Sequence, residues 1–589
     1  MDDQSAQPES GLDFETYAAR AVEQRDIFAG RKPCDLLIRK GRVVNVFTGE
    51  ILDHPVAIHR GRILAFEDLP ALESFDADGL FVTPGFADCH IHIESSMLSP
   101  PEFARAVVCR GTTAVFADPH EISNALGEDG FRYMLDITEG LPLDVYFLMP
   151  SCVPATPFET TRGDFPAEVV SRLASNRRVL GLAEFMNFPG VLTADRSCLE
   201  KLWHFQGGIV DGHGPLLSGR DLSHYIASGI GSDHETTRIG EGREKLRKGM
   251  FLYLREGTSA RNLQDLAPLA TPSSASRLGF ASDDRSPEEI SRQGHMDFIL
   301  RRAVRCGIDP VTALRMACLN PFGHFRIYDR GALAPGYRAD LALLEDLSEF
   351  TVKGVLKDGR WVWREGRYVD SFRRGGSRPA SSSMRIPTGI ALREAFDLRA
   401  RGAILNVIGI VPGQILTDRR ERRLPQTNGV LNAAAMGLAK VAVIERHRGT
   451  GNVGVAFVEG LGIEQGAIAS TIAHDSHNII VAGADDDDML RAVEVLRESG
   501  GGLAVIRKGK TLGFLPLPIG GLMSDRPFEE VASLHESIHG AASALGRTVI
   551  ANPFMHLSFL ALPVIPHLKV TDRGLFDVDR FEFIPLTRM

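Results

Sequence analysis

The 589-residue sequence predicts an α/β protein whose main part is a (β/α)8, TIM-like barrel. Three observations indicate this fold. Eight short apolar runs alternate with amphipathic stretches between residues 79 and 330, strand-rich segments flank that region on both sides, and another alternating region follows. Eight strand–helix units spread over about 240 residues have the size expected of such a barrel.

The segments on either side of the predicted barrel are expected to combine into one small domain. Residues 1–32 are interpreted as a helical lead-in, and residues 35–46 as a β-hairpin with Lys40 and Gly41 at its turn. Strand-like sequence returns at 339–344 and 352–363. We therefore predict a composite β-sandwich domain, formed by residues 33–78 together with residues 331–370.

The predicted barrel occupies residues 79–330. Its strands are expected at 80–87, 113–118, 143–149, 179–185, 208–212, 229–233, 250–254 and 277–282. Amphipathic helices are predicted between them, among others at 101–110, 123–139, 219–228 and 288–306. A doubly wound open sheet is the alternative. It would usually carry a glycine-rich phosphate turn after its first strand, where this chain has Asp-Cys-His-Ile-His at 88–92.

The last third of the chain is predicted to be a separate domain. Turn-forming and charged residues at 371–385 indicate a linker, and residues 386–589 again alternate as in an α/β domain. We expect this C-terminal domain to close over the barrel mouth or to build an oligomer. The four aspartates at 485–488 are predicted to begin a helix rather than bind a cation, because acidic residues suit a helix N-terminus.

Composition and charge exclude several classes of protein. The net charge of −9, with no basic stripe, argues against a nucleic-acid partner. The arginine-rich segment 419–423 is accordingly interpreted as a solvated loop. No apolar stretch reaches the length of a membrane span, and the acidic start is unlike a signal peptide. Seven cysteines without a CxxC pair are typical of reduced thiols, so we expect a cytoplasmic protein.

Side chains that can bind metals follow the predicted barrel strands. His90 and His92 lie two residues apart after the first run, so both point to one face of the extended chain, whereas Cys89 points the other way and is expected to pack. Further candidates end the fourth, fifth, sixth and eighth runs: Glu184, His213, His234 and the pair Asp283-Asp284. Because the carboxyl ends of barrel strands share one mouth, these residues predict a single metal site.

The number and type of these ligands favour two ions. Nitrogen and oxygen ligands without thiolate suit manganese, iron or zinc. Six ligands are too many for one open tetrahedral ion, so we predict two ions bridged by Glu184, with a hydroxide between them. The first ion is assigned His90, His92 and Asp283, and the second His213 and His234. Whether Asp283 or Asp284 is the ligand stays open.

Two motifs resemble the amidohydrolase superfamily. Pro-Gly-Phe-Ala-Asp-Cys-His-Ile-His at 84–92 looks like its opening PGxxDxHxH, and residues 331–341 look like its closing GxxxPGxxADL. Many relatives bridge their metals with a carboxylated lysine, whereas this chain has Glu184, which is typical of the adenine deaminase branch. Further phrases similar to that branch lie at 91–97, 118–122, 211–215, 232–237, 283–285, 449–458 and 473–479. The resemblance covers residues 33–589.

This resemblance implies hydrolytic deamination of adenine to hypoxanthine and ammonia, in purine salvage, by a metal-bound hydroxide. It implies Mn²⁺ as the working metal, although the ligand set alone equally permits Fe²⁺ or Zn²⁺. The alternatives are another amidohydrolase, acting on a different aminopurine or a cyclic amide, and a non-catalytic barrel. A small-molecule substrate and a homo-oligomer are the expected partners, with no nucleic acid and no membrane.

Deamination at C6 also needs groups that move protons. We expect Asp283 to carry a proton to the leaving ammonia and Glu235 to protonate N1, although Glu235 also fits a helix N-cap. His120 is expected to polarise the nucleophile or to support the site from outside. The remaining candidates, for substrate binding, are Asp284, Asp118 and Glu94.

Two further motifs are left open. Residues 535–539 fit HExxH, the zinc-protease pattern, but no glutamate follows Glu536 until Glu582, so a chance match on a surface helix is favoured. His474, Asp475 and His477 are expected either to reach the barrel mouth or to support the structure. The absence of PCxxC from the sequence excludes the zinc deaminase fold of the base-editor type.

Overall fold

The computed structural model of the protein describes residues 13–369, 383–386, 389–398, 404–412, 416–424, 431–547, 550 and 552–588. Within the predicted lead-in, a helix spans Phe14–Phe28 and is capped by Asp13, whose side chain accepts from the backbone N of Thr16. The first twelve residues of that lead-in, and all of the predicted linker except 383–385, lie outside the described residues.

Eight parallel strands, all within the described part of the chain, form the central barrel. They are Phe86–Ile91, Thr112–Ala117, Asp144–Met149, Val179–Phe185, Ile209–Gly212, Ser232–Asp233, Phe251–Arg255 and Leu278–Ala281. The first five pair in chain order, and so do the last three. The Gly231 N–H donates to Val210 O at 2.9 Å, and a parallel bridge joins Ile91 to Asp283, so the strands close on themselves.

The first barrel strand corrects one prediction. The apolar run expected as one strand at 80–87 is divided: Phe81–Pro84 pairs with Leu341–Leu344 in another sheet, and only Phe86–Ile91 belongs to the barrel. Gly85 lies at the crossing, where an added Cβ would come within 2.3 Å of the Thr113 side chain. A continuous apolar run cannot reveal this change of sheet, because both sheets are buried there.

The helices around the barrel follow the predicted pattern, with two corrections. The expected single helices at 123–139 and 288–306 are each broken in two, at Gly127 and Gly294, whose φ angles are 67° and 103°. The helices are Pro100–Val108, His120–Leu126, Glu128–Ile137, Ala167–Leu173, Phe188–Leu192, Arg196–His204, Gly219–Ala227, Ile239–Arg247, Leu263–Leu266, Pro287–Gln293, Met296–Arg305, Pro310–Ala317 and Leu319–His324. Glycine adopts positive φ without steric cost, so it ends a helix where periodicity alone would continue it.

Residues before and after the barrel build two sheets around one core. Within residues 33–369, which are fully described, one sheet contains Cys34–Arg39, Val56–His59, Arg62–Ala65 and Ala71–Asp76. The other contains Arg42–Val44, Ile51–Leu52, Phe81–Pro84, Leu341–Leu344, Val352–Lys357, Arg360–Arg364 and Arg367–Tyr368. Leu36 and Ile58 of the first sheet pack in one apolar cluster with Val82 and Leu356 of the second.

The C-terminal part is built on a large mixed sheet. Its strands in the described residues are Ile404–Ile410, Thr417–Arg423, Ala439–Ile444, Val453–Glu459, Ala467–Ser470, Ile479–Gly483, Gly502–Arg507, Lys510–Pro516 and Thr587–Arg588. A smaller sheet contains Leu568–Thr571, Gly574–Asp577 and Glu582–Phe583. The helices of this part are Gly389–Phe396, Asp486–Ser499, Phe528–Ser543 and Pro553–Phe559.

Of the two sequence predictions about charged runs, one is confirmed and the other is wrong. The helix expected after the four aspartates is confirmed: it begins at Asp486, and the Asp485 carboxylate accepts from the backbone N of Asp488 at 3.0 Å. The loop expected at 419–423 is wrong, because Thr417–Arg423 is an edge strand. Arg419, Arg420 and Arg422 are held in ion pairs, for example Arg422 with Glu459 at 2.5 Å, which allows a highly charged segment to be a strand.

No helix among the described residues is long and apolar enough to cross a membrane. All seven cysteines lie within residues 34–318, which are described throughout, and none of them forms a disulfide.

Candidate metal centre at the barrel mouth

Three predicted ligands meet where the first and eighth barrel strands end. His92 Nε2 lies 3.2 Å from His90 Nε2 and 3.2 Å from Asp283 Oδ1. His90 Nε2 lies 3.7 Å from the same Asp283 oxygen. His90 and His92 are buried, and Asp283 is nearly so. These three side chains therefore present their donor atoms to one small volume, as the assignment to a first ion requires.

Glu184 lies between this group and a second pair of histidines. Its Oε1 is 3.3 Å from His92 Nε2, while its Oε2 is 2.5 Å from His213 Nδ1 and 3.2 Å from His234 Nε2. Burial raises the pKa of Glu184, but the attraction of His234 and His213 outweighs it and holds the pKa well below the usual range. An ionised carboxylate whose two oxygens face different histidine pairs has the geometry of a bridging ligand.

The protonation of His90 and the orientation of His92 also suit metal binding. Burial, together with the neighbouring His234 and His92, holds the pKa of His90 well below its usual value, so this ring is neutral and can bind a metal. His92 Nδ1 lies 2.9 Å from the backbone O of Asp118, which directs Nε2 into the cluster. Such a concentration of buried imidazole and carboxylate is costly without a cation, so the residues fit divalent ions with nitrogen and oxygen ligands.

His120 and Asp118 lie directly beside the cluster. His120 Nδ1 is 3.0 Å from Asp118 Oδ2 and 3.6 Å from Glu184 Oε1. Burial lowers the pKa of His120, but Asp118 reverses this effect and raises it to about 10. Asp118 is thus engaged with His120, and it is not among the residues that line the cavity between the barrel mouth and the C-terminal part.

Arg255 is a site residue that the sequence analysis missed. It ends the seventh barrel strand and forms an ion pair with Glu235 through both of its terminal guanidinium nitrogens. Arg255 Nη2 lies 3.0 Å from Glu235 Oε2. Its Nη1 also donates to Asp283 Oδ2 at 2.7 Å. Burial raises the pKa of Glu235, but Arg255 outweighs burial and lowers it. The rule that located the other ligands, a polar residue at the end of a barrel strand, would have found Arg255.

The ionised Glu235 is directed toward the second histidine pair. Its Oε1 lies 3.6 Å from His234 Nε2 and 3.9 Å from His213 Nδ1. A carboxylate that Arg255 keeps ionised is poorly placed to supply a proton, and better placed to hold a cation.

The two other predicted substrate-binding residues have different surroundings. Asp284 lines the cavity between the barrel mouth and the C-terminal part, and its Oδ1 accepts from Ser95 Oγ at 2.5 Å. Burial and the charge of Asp283 raise the pKa of Asp284 to about 6. Glu94 is buried outside the cavity lining; its Oε1 accepts from the backbone N of Ile122 at 3.2 Å. Burial, followed by the charge of Glu121, raises the pKa of Glu94 to about 7.

The cavity itself lies between the barrel mouth and the C-terminal part. Its empty volume is about 580 Å³, and it is bounded by Asp284 and Ser95 on one side and by His474 and Phe559 on the other. His474 Nδ1 is 3.2 Å from Glu121 Oε1, and His477 Nε2 is 3.9 Å from Glu121 Oε2. His474 and His477 therefore reach the barrel mouth, the first of the two alternatives that the sequence left open.

Comparison with known proteins gives the family. The protein-family model described as the adenine deaminase C-terminal domain matches residues 414–582, and the model of the amidohydrolase family matches residues 81–362. An adenine deaminase of Nitratidesulfovibrio vulgaris is 47% identical over 96% of this chain and 99% of its own length. Adenine deaminase 2 of Carboxydothermus hydrogenoformans is 45% identical over 95% of this chain and 98% of its own. The chain belongs to the adenine deaminase family.

Among solved structures, a β-aspartyl dipeptidase from Fervidobacterium islandicum AW-1 is similar over 58% of this chain and 99% of its own, with a TM-score of 0.44 and 16% identity.

In this adenine deaminase family member, the HExxH motif lies on the helix Phe528–Ser543. The expectation of a surface position is wrong for His535, which is buried, with Nδ1 2.6 Å from Glu288 Oε2. Glu536 instead pairs with Arg292 on the exposed side. None of the candidate metal-binding groups found in the described residues includes His535 or His539.

Glu121 is the other site residue that the sequence analysis missed. It follows His120 at the start of the helix His120–Leu126 and lies in a metal-binding type of cluster with His474 and His477. Its position next to His120 was the only sequence signal. The partners come from more than 350 residues further along the chain, so pattern alone could not connect them.

Proposed function

We propose that this chain is an adenine deaminase, which hydrolyses adenine to hypoxanthine and ammonia in purine salvage. The observation that carries the proposal is the buried cluster in which Glu184 lies between two groups of histidines at the barrel mouth. Full-length relatives that bear this name support the choice of substrate.

Two divalent ions are the proposed cofactors, with Mn²⁺ as the working metal and Fe²⁺ or Zn²⁺ compatible with the same donors. His90, His92 and Asp283 would hold the first ion, His213 and His234 the second, and Glu184 both. Such ions, when bound, supply Lewis-acid activation of the attacking water.

The remaining chemistry is assigned to this chain's own side chains. Asp283, at the edge of the cluster, would accept the proton of the water and pass it to the leaving amino group, while Arg255 orients its second oxygen. His120, held by Asp118, would donate a hydrogen bond toward the reacting centre. Asp284 would accept from the N–H of the five-membered ring of the base.

The surroundings of Glu235 do not favour its predicted role as the acid that protonates N1. Glu235 remains the sequence-based candidate, yet its ion pair with Arg255 favours the ionised form. We therefore propose that Glu235 contributes negative charge to the second ion site; the variant Glu235→Gln separates the two roles.

Ammonia release from adenine after Mn²⁺ loading tests the proposed activity. We expect release from adenine and none after treatment with a chelator. A panel of other aminopurines and cyclic amides tests the alternative, an amidohydrolase of different specificity. Turnover of one of those compounds without turnover of adenine would show that alternative to be right.

A homo-oligomer and a cytoplasmic location complete the proposal. Size-exclusion chromatography with light scattering tests the first, since a mass of one 64.3 kDa chain would contradict it.

A further inference from the structure

His474 forms part of the cavity wall that the C-terminal part contributes. Its ring stacks on Phe559, with centroids 4.7 Å apart and planes 23° from parallel. Nδ1 is engaged by Glu121 at 3.2 Å, and the backbone N donates to Ser558 Oγ at 3.4 Å. The ring is thus fixed, and its Nε2 is the ring nitrogen without a hydrogen-bond partner among the described residues.

The same carboxylate connects His474 to the barrel side of the cavity. Ser95 Oγ lies 3.3 Å from Glu121 Oε1 and 2.5 Å from Asp284 Oδ1. His474 and Asp284 therefore border one cavity and share one network. Burial lowers the pKa of His474, but Glu121 reverses the effect and raises it to about 9, so at neutral pH the ring carries a proton on Nε2 and can donate it in a hydrogen bond.

We propose that His474 binds the substrate base by donating from Nε2 to the unprotonated nitrogen of its five-membered ring, and that Glu121 is the residue that positions His474. The inference rests on the proposed function. The five-membered ring of adenine has one N–H and one unprotonated nitrogen. On the wall of the same cavity, Asp284 can accept from the N–H and His474 can donate to the unprotonated nitrogen.

The proposal has a consequence for specificity. A nucleoside carries no N–H on that ring, so it cannot satisfy the donor and the acceptor together, and the Asp284 carboxylate would lose the hydrogen bond that a free base donates to it. The C-terminal domain would then contribute directly to the selection of a free base, in addition to covering the cavity.

The test compares adenine with 7-deazaadenine and 9-deazaadenine, each of which keeps one N–H and lacks the unprotonated ring nitrogen. In the wild-type enzyme we expect both analogues to bind at least about tenfold more weakly than adenine, as the loss of a charged hydrogen bond predicts. In His474→Leu the KM for adenine should rise by a similar factor, while the inhibition constants of the analogues stay the same. His474→Gln, which keeps a donor near the position of Nε2, should recover part of the preference for adenine.

Two further variants separate binding from folding. Glu121→Gln should weaken the preference for adenine while the metal content stays at the wild-type level. His539→Gln changes a histidine of the same domain that does not line the cavity, and should behave as wild type. Unchanged discrimination between adenine and both analogues in His474→Leu or in Glu121→Gln would overturn the inference. If the wild type does not deaminate adenine, the proposed function fails first and the inference fails with it.

Discussion

At the scale of single residues, Glu184 divides the metal cluster into two halves. Each of its oxygens faces a different set of histidines, and the side chain is only 3% exposed. A buried carboxylate in this position is stabilised only by the positive charge around it. Its charge, rather than its shape, is therefore the property that the site depends on.

Glu184→Gln is expected to remove the shared charge and abolish turnover. The amide has nearly the same shape, but it cannot attract two cations, so the content of bound metal should fall below the two ions per chain that we propose for the wild type. Elemental analysis and ammonia release measure both effects. Glu200→Gln, at an exposed ion pair with Arg196, is the matched control. A stoichiometry near one in the active wild type would contradict the two-ion assignment.

Glu235→Gln separates two roles for that side chain. A general acid would be seen as a fall in kcat of about 10²–10⁴ at unchanged metal content. Because Arg255 keeps the carboxylate ionised beside His234, we expect loss of metal instead. Elemental analysis of the purified variant decides between them, with Glu244→Gln, at a surface ion pair with Lys248, as the control. Full metal content with the large kcat fall would restore the acid role.

Asp284 predicts a pH dependence. Burial and Asp283 raise its pKa to about 6, and the proposed contact with the substrate N–H requires the ionised form. As the pH falls below about 6 the carboxylate becomes protonated, so kcat/KM for adenine should decline by up to tenfold per pH unit. Asp284→Asn should have lower activity and lack this decline. A profile of the same shape in the variant would assign the titration to another group.

At the scale of elements, local signals predicted where strands and helices lie more reliably than where they change partner. The fourth barrel strand spans Val179–Phe185, as expected from its apolar run. The first run was divided between two sheets at Gly85, and two predicted helices were broken at glycines. Periodicity indicates that a segment is buried, but it does not indicate which neighbour the segment packs against.

The start of the helix Asp486–Ser499 is a test of local capping. Asp485→Ala removes the carboxylate that accepts from the backbone N of Asp488, so local opening of the first turn should become easier by about 1 kcal/mol. Amide hydrogen exchange at the start of the helix measures this change. Glu498→Ala, near the other end of the helix and largely exposed, should leave that exchange as it is. Equal exchange in Asp485→Ala and wild type would show that the cap contributes nothing.

At the scale of the whole molecule, the C-terminal part lies over the barrel mouth and is bonded to it. The Ser524 N–H donates to Met97 O at 2.8 Å, and Thr160 Oγ1 donates to Asp572 Oδ2 at 2.7 Å. Asn478 Nδ2 donates to the Thr160 backbone O at 2.9 Å. Because His474 and Phe559 of the C-terminal part line the cavity, this part forms one of its walls.

A chain truncated at Pro379 is therefore expected to be inactive or insoluble. Truncation removes His474 and Phe559 from the cavity and exposes buried barrel residues such as Leu126, which lies against Gly520. Solubility, metal content and ammonia release are the measurements. Expression of residues 386–589 as a separate chain beside the truncated one should restore part of the activity. Full activity of the truncated chain alone would reject a role for the C-terminal part in the site.

Local pattern predicted seven of the eight barrel strands to within a few residues, and it singled out six candidate metal ligands that the structure brings together. His90, His92, Glu184, His213 and His234 follow or end apolar runs, and in a barrel the carboxyl ends of all strands meet at one mouth. Adjacency in space then follows from topology, so sequence order alone brings these residues together.

Other contacts were decided only by the tertiary structure. Arg255 acquires its role from its contacts with Glu235 and Asp283. Glu121 acquires its role from His474, which lies in the connection between the strands Ala467–Ser470 and Ile479–Gly483. Neither pairing has a periodic signature, because each depends on which side chains meet in space: across neighbouring barrel strands for Arg255, and between the barrel and the C-terminal part for Glu121. The charge state of Glu235 therefore comes from a contact between neighbouring barrel strands, and the second wall of the cavity comes from domain packing; local propensity encodes neither.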